Sequence, residues 1–153
     1  MLEPGDAAPK LKGTTQDGSA IKLASYTGKP FVVYFYPKDM TQGCTLEAQA
    51  FQSFYPKFSR KGCEIIGVSR DSETSHAKFC DKHRLTFPLV ADTDESWCRA
   101  FDVIGEKTLY GKKYVGVIRS TFLFGADGKL IEAWRNVRVP GHVEKVLERL
   151  SSQ

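Results

Sequence analysis

No apolar run in this chain approaches the roughly 20 residues that a helix needs to cross a bilayer, so no membrane role is expected. The opening, MLEPGDAAPKLKG, has neither the basic start nor the apolar core of a secretory signal. The expected compartment is therefore the cytoplasm. Among the 4 cysteines, Cys44, Cys63, Cys80 and Cys98, no two form a C-x-x-C pair. That excludes a zinc ribbon and a thioredoxin-type dithiol motif. Nor is the chain small and cysteine-dense, as secreted disulfide scaffolds are. Isolated thiols in a reducing compartment are either inert core residues or reactive ones. Linkers, repeats and low-complexity tracts are missing too. The formal net charge is only +4, and the basic residues are scattered rather than gathered in a stripe. Nucleic-acid binding has no support.

What is present is an ordinary globular composition. The chain has 153 residues, 41% apolar and 26% charged, which fits one domain over 1–153 with a real hydrophobic core. Near the start, two short extended pieces flank the turn signal Gln16-Asp17-Gly18. Phe31 to Tyr36, FVVYFY, reads as a buried central strand ended by Pro37. From Thr41 to Arg60, Leu46, Ala50, Phe54 and Phe58 recur every four positions. This predicts a helix with that face buried, stopped near Gly62. CEIIGVS is a second core strand, DSETSHAKFCDKHRL a helix capped by Asp71 or Ser72, FPLVAD a third strand and DESWCRAFDV a short helix. VGVIRSTFLF and KLIEAW flank GADG as a hairpin, and Val143, Val146, Leu147 and Leu150 give a closing helix. Alternating strands and helices imply a parallel portion of sheet, and the hairpin adds an antiparallel portion. The expected fold is an α/β, thioredoxin-like three-layer sandwich, its mixed central sheet flanked by helices.

Cys44 stands where the first core strand hands over to a helix, and sites form at such handovers in open α/β sheets. A free cysteine titrates near 8.5, so only about 3% is thiolate at pH 7. A helix N-terminus favours an anion by roughly 0.3–2 kcal/mol, whereas lowering a thiol to a pKa of about 6 takes on the order of 3.4 kcal/mol. A second cationic contributor is therefore expected. Thr41 lies one turn ahead, its hydroxyl able to cap the helix or to serve the sulfur. Glu47 reads either as a first-turn acid favoured by the dipole or as the holder of an arginine. Pro37 by itself is a strand terminator.

At these residues a resemblance emerges. PKDMTQGC, Pro37 to Cys44, matches the Pro-x-x-x-Thr-x-x-Cys signature of peroxiredoxins. With TLEA, IRSTFLF and GADGKL, nearly the whole chain resembles the peroxiredoxin Q group, also called bacterioferritin comigratory proteins. The resemblance implies a thiol peroxidase for hydrogen peroxide and organic hydroperoxides, with no cofactor and no metal. It assigns Cys44 as the peroxidatic cysteine, Thr41 and Pro37 as shapers of the pocket, and Arg119 as the missing cation. Glu47 would orient that arginine. The Cys44 thiolate would attack a peroxide oxygen and become a sulfenic acid that another thiol must trap. A monomer recycled by thioredoxin or a related dithiol reductant is implied as well. Lys38, Asp39 and Met40 are expected in a solvated loop, with Met40 bordering the peroxide entrance.

The chain departs from the commonest family pattern in two ways. Gln49 stands where many members carry the resolving cysteine, and Gln42 replaces the proline of Thr-Pro-Gly-Cys. Another subset places its resolving cysteine in the next helix, at the interval that separates Cys80 from Cys44. Cys80 is thus the implied resolver, ahead of single-cysteine turnover and of Cys98, while Cys63 reads as packing. A disulfide needs Cα atoms within about 7 Å, so the first turn around Cys44 is expected to unwind after oxidation, and part of the Cys80 helix to loosen. A rival reading puts His76, Cys80 and His83 on one helix face as metal ligands, without a clear fourth; otherwise the histidines read as surface residues. Two further functions stay open. One is a thiol–disulfide oxidoreductase, which the missing C-x-x-C weighs against. The other is a metal- or partner-binding thioredoxin-like domain, favoured only if Arg119 lies far from Cys44.

Overall fold

The computed structural model describes residues 1–153. A small antiparallel hairpin comes first, Lys12–Thr14 (β1) with Ala20–Lys22 (β2). Asp17 builds its turn, Oδ1 accepting from the Thr15 hydroxyl at 2.8 Å and the Ser19 amide at 2.9 Å. There follow Phe31–Phe35 (β3), Gln42–Arg60 (α1), Glu64–Ser69 (β4), Glu73–His83 (α2), Leu89–Ala91 (β5) and Ser96–Ala100 (α3). The chain finishes with Ile104–Leu109 (β6), Lys112–Val117 (β7), Ser120–Phe124 (β8), Leu130–Arg135 (β9) and His142–Ser151 (α4).

The main sheet has the strand order β5-β4-β3-β8-β9. β3, β4 and β5 run parallel, and β8 and β9 complete the sheet antiparallel. Every residue of β3 is buried, yet its pleat serves two cores. Val32 and Tyr34, with Tyr36 beyond, pack with Phe51, Phe58, Phe79 and Val146 of α1, α2 and α4. Phe31, Val33 and Phe35 pack on the other side with Trp97 and Phe101. The result is the mixed sheet between helical layers that the strand–helix order predicts.

Four local expectations are corrected. The buried face of α1 is Cys44, Glu47, Ala48, Phe51 and Phe58, while Leu46 is 52% exposed. The stripe runs at i, i+3, i+4, i+7, and an every-fourth-residue row drifts off it. The segment VGVIRSTFLF is two strands rather than one. Val117 ends β7, which pairs with β6 in a separate hairpin whose turn has positive φ at both Tyr110 and Gly111, the geometry of a type I′ turn. Ile118 and Arg119 fall in the break before β8. The solvated-loop reading holds for Lys38 and Met40, which are exposed, but fails for Asp39, and the surface-histidine reading fails for His76, because both of these are buried. The α2 cap is Ser72, whose hydroxyl accepts from the Ser75 amide; the Asp71 carboxylate instead accepts from the Asp39 amide and the Ser69 hydroxyl.

Candidate active site

The parallel strand β3 delivers the chain through Pro37 to the start of α1. Thr41 is extended there and occupies the cap position, but its hydroxyl makes no capping bond. It donates instead to Lys38 O at 2.8 Å, bracing the turn that precedes the helix. Cys44 lies in the first helical turn, 1% exposed, where unpaired backbone N–H groups favour negative charge.

The guanidinium comes from the break between β7 and β8. Arg119 Nη2 donates to Cys44 Sγ at 3.4 Å, and Nη1 donates to Glu47 Oε1 at 2.7 Å. One planar group thus spans two residues of the same helix face, a task suited to the arginine fork. The break that frees Arg119 is held by the Val137 amide on Arg119 O at 2.9 Å and by the Ser120 hydroxyl on Ile118 O at 2.9 Å. Gly43 makes room: a Cβ there would stand 3.2 Å from Arg119 Nη2. Lys107 reaches across its hairpin to donate to Val117 O at 2.9 Å.

Burial opposes charge at both members of the ion pair. For Glu47 burial wins over the attraction of Arg119 and pushes its carboxyl up to about 7, and Oε2 has no partner. For Arg119 burial is outweighed by the negative charge of Glu47 and Cys44, so its pKa is raised. The arrangement can hold a sulfur anion, or a developing negative charge beside it, against a fixed cation away from bulk water.

The other thiols have no such partner. Burial, then the negative charge of Asp39, pushes Cys80 up to about 12; burial, then Glu64, does the same to Cys63. Cys98 is raised by burial and then by Asp92. All four cysteines are free. Cys44 and Cys80 belong to the same apolar layer, whereas Cys98 packs on the opposite side of the sheet. Cys63 shares the layer with Cys44 but precedes β4, at the end of the sheet remote from Cys44 by about 16 Å of strand. The metal set His76, Cys80 and His83 does not assemble, because both ring nitrogens of His76 are engaged, by Asp39 and by Val90 O.

Residues 4–133 match the AhpC/TSA family. The chain belongs to that family, within its peroxiredoxins. It is 47% identical over 152 residues to peroxiredoxin Bcp of Xanthomonas campestris pv. campestris, covering 99% of this peroxiredoxin and 95% of that protein. Two solved structures of Xanthomonas campestris peroxiredoxin Q, each with a different cysteine changed to serine, superpose with TM-scores of 0.91 at 46% identity. They cover 99% of this chain and 97% and 96% of theirs. A third, of Xanthomonas campestris bacterioferritin comigratory protein, addresses alkyl peroxide reduction through trapped intermediate and ligand complexes. Its TM-score is 0.90 at 45% identity, covering 99% of this chain and 97% of that one. In this peroxiredoxin Arg119 touches Cys44, so the condition that would have favoured a mere binding domain is not met. Sequence reasoning missed Lys107 and the burial of Asp39 and His76, since single polar residues in loops carry no period to read.

Proposed function

We propose that this peroxiredoxin reduces hydrogen peroxide and organic hydroperoxides at Cys44. The observation that carries the reading is the two-pronged Arg119, with one nitrogen 3.4 Å from Cys44 Sγ and the other on Glu47. The Cys44 thiolate attacks one oxygen of the hydroperoxide. An S–O bond forms as the O–O bond breaks, and the departing oxygen leaves as water or alcohol once it has taken a proton. Arg119 stabilises negative charge along the S–O–O line, in a site shielded from water. Pro37 and Thr41 shape the approach, and Glu47 holds the guanidinium in register.

Cys80 is the proposed resolving thiol. Its sulfur attacks the Cys44 sulfenic acid, a disulfide forms and water leaves. Support comes from its position in the same layer as Cys44, with Cys98 across the sheet. Moreover, the cysteines substituted in the two Xanthomonas campestris structures stand the same number of residues apart as Cys44 and Cys80. A dithiol reductant of the thioredoxin class then reduces the bridge and is itself oxidised. We further propose that residues 1–153 act as one domain, a monomer working in the cytoplasm. No helix is long and apolar enough to cross a membrane.

Mass mapping after one equivalent of hydrogen peroxide tests both roles. The expected product is a Cys44–Cys80 bridge, absent in Cys44→Ser, which should also lose peroxide consumption. Cys80→Ser should complete one fast turnover and then fail to be recycled by thioredoxin. Normal recycling of that variant would reject Cys80.

A further inference from the structure

The loop that leads into Cys44 and the helix that carries Cys80 share one buried polar cluster. The Asp39 carboxylate, on a residue only 4% exposed, receives the Tyr36 hydroxyl at 2.6 Å, the Ser75 hydroxyl at 2.8 Å and faces His76 Nδ1 at 2.7 Å. His76 is wholly buried. Its Nε2 lies 2.9 Å from Val90 O, which can only accept, so Nε2 bears a proton. Nδ1 faces a carboxylate oxygen, so a second proton lies on the Nδ1–Oδ2 line, whichever partner owns it. The Asp39 amide adds a bond to Asp71 Oδ2 at 2.9 Å. Met40, the next residue, holds φ +65°, a conformation a non-glycine residue keeps only when its surroundings enforce it.

Asp39, Asp71 and His76 converge within 4.8 Å, close enough to suggest a cation site. That reading fails on the hydrogen bonds. A cation would have to displace the donors from Tyr36, Ser75 and Ser69, and both ring nitrogens of His76 already have partners. The cluster instead joins segments that must part. Asp39 lies in the loop that leads into the Cys44 turn of α1, and His76 lies one helical turn before Cys80. Both thiols are free and buried on separate helices, whereas a disulfide needs Cα atoms within about 7 Å.

We propose that Asp39 and His76 are positioning residues, a buried latch that pins the first turn of α2 to the Cys44 loop and to β5 while Cys44 is reduced. Resting on the reading of Cys80 as the resolver, the proposal is that opening this latch gates closure of the disulfide. Two fates then compete for the Cys44 sulfenic acid. Cys80 can displace water and form the disulfide, or a second hydroperoxide can convert the sulfenic acid to sulfinic acid and leave as alcohol. A slow latch favours the second fate, so Asp39 and His76 set the ratio between resolution and over-oxidation.

Tyr36→Phe, Ser75→Ala and His76→Asn test this, the first two keeping shape while each removes one donor to Asp39. Hydrogen exchange on the reduced protein should speed up across Glu73–His83 by about three- to tenfold per bond removed. After a peroxide pulse and acid quench, mass spectrometry should show disulfide closing faster by a similar factor, and a smaller sulfinic fraction at equal peroxide. A loss of global stability that leaves exchange in α2 unchanged would not move that ratio. Unchanged exchange in α2 for Tyr36→Phe and Ser75→Ala overturns the latch, whatever disulfide the wild type forms. Faster exchange with an unchanged closure rate overturns its gating of resolution. A wild type that makes no Cys44–Cys80 bridge rejects the resolver assignment and the gating with it, and it is recognised before any variant is compared.

Discussion

Cys44 and Cys80 are both buried thiols in one apolar layer, each on a helix that follows a parallel strand of the central sheet. What faces the sulfur differs. Cys44 sits in the first turn of α1 with Arg119 Nη2 at 3.4 Å. Cys80 lies beyond the middle of α2, where burial and the negative charge of Asp39 push it up to about 12. Burial alone therefore does not distinguish the two sulfurs. The sign of the nearest charge and the position along the helix do, because both act on the anion and not on the neutral thiol. A further consequence follows for Cys80. Burial holds it as a neutral thiol while α2 is intact, and under the proposed resolving role it would become a nucleophile once the helix opens and desolvation is relieved.

The largest expected effect comes from removing the cation that separates the two environments. Arg119→Met should lower kcat/KM for hydroperoxide on the order of 10²- to 10³-fold in stopped-flow measurements. Arg119→Lys should recover little, since one ammonium cannot serve Cys44 and Glu47 together. An Arg119→Met loss below tenfold would show that the guanidinium is not what distinguishes Cys44.

A smaller loss, of about tenfold, is expected for Glu47→Gln, which leaves Arg119 in place but loosely held. Its pH dependence sharpens the point. The Glu47 carboxyl is pushed up to about 7 by burial against the pull of Arg119. Below that pH it protonates and the ion pair weakens. The advantage of wild type over the glutamine variant should then shrink as pH falls through about 7, a ratio in which any titration common to both proteins cancels. An advantage constant from pH 5 to pH 9 would remove Glu47 from the account.

Gly43→Ala should act more gently and in two directions. Its new Cβ would stand 3.2 Å from Arg119 Nη2, shifting the guanidinium by tenths of an ångström for a loss of about three- to tenfold in kcat/KM. Thermal stability should hold or rise, because alanine is the better helix former. Equal activity with equal stability would mean that Arg119 tolerates the displacement.

The smallest effect concerns the stability of the reduced protein in alkali. A thiol raised from its ordinary value to about 12 favours the folded state below about pH 9, and that contribution disappears as pH climbs toward 12. Cys80→Ser should therefore lose less thermal stability than wild type between pH 9 and 11. Parallel melting curves for the two proteins would contradict the buried, neutral character of Cys80.

Much of this was legible in the chain. The FVVYFY strand, the strand–helix alternation and the Pro37-to-Cys44 signature each depend on neighbours in sequence, and each has a pattern to read. The face of α1 was misread because every-fourth-residue spacing only approximates a 3.6-residue turn, which left Leu46 outside. The β6–β7 hairpin was missed because its turn residues, Tyr110 and Gly111, offer only one glycine as a signal. The burial of Asp39 was invisible, since its partners Ser75 and His76 come from another element.

The order of residues alone determined that one cysteine stands at the mouth of a helix behind a buried strand, since hydrophobic period and local turn chemistry act over a few positions. Only the folded chain decided which distant groups reach it. Arg119 arrives through a break between two strands, and Asp39 of the loop before α1 meets His76 of α2. Contacts of that kind are fixed by the packing of whole layers, which no local pattern encodes.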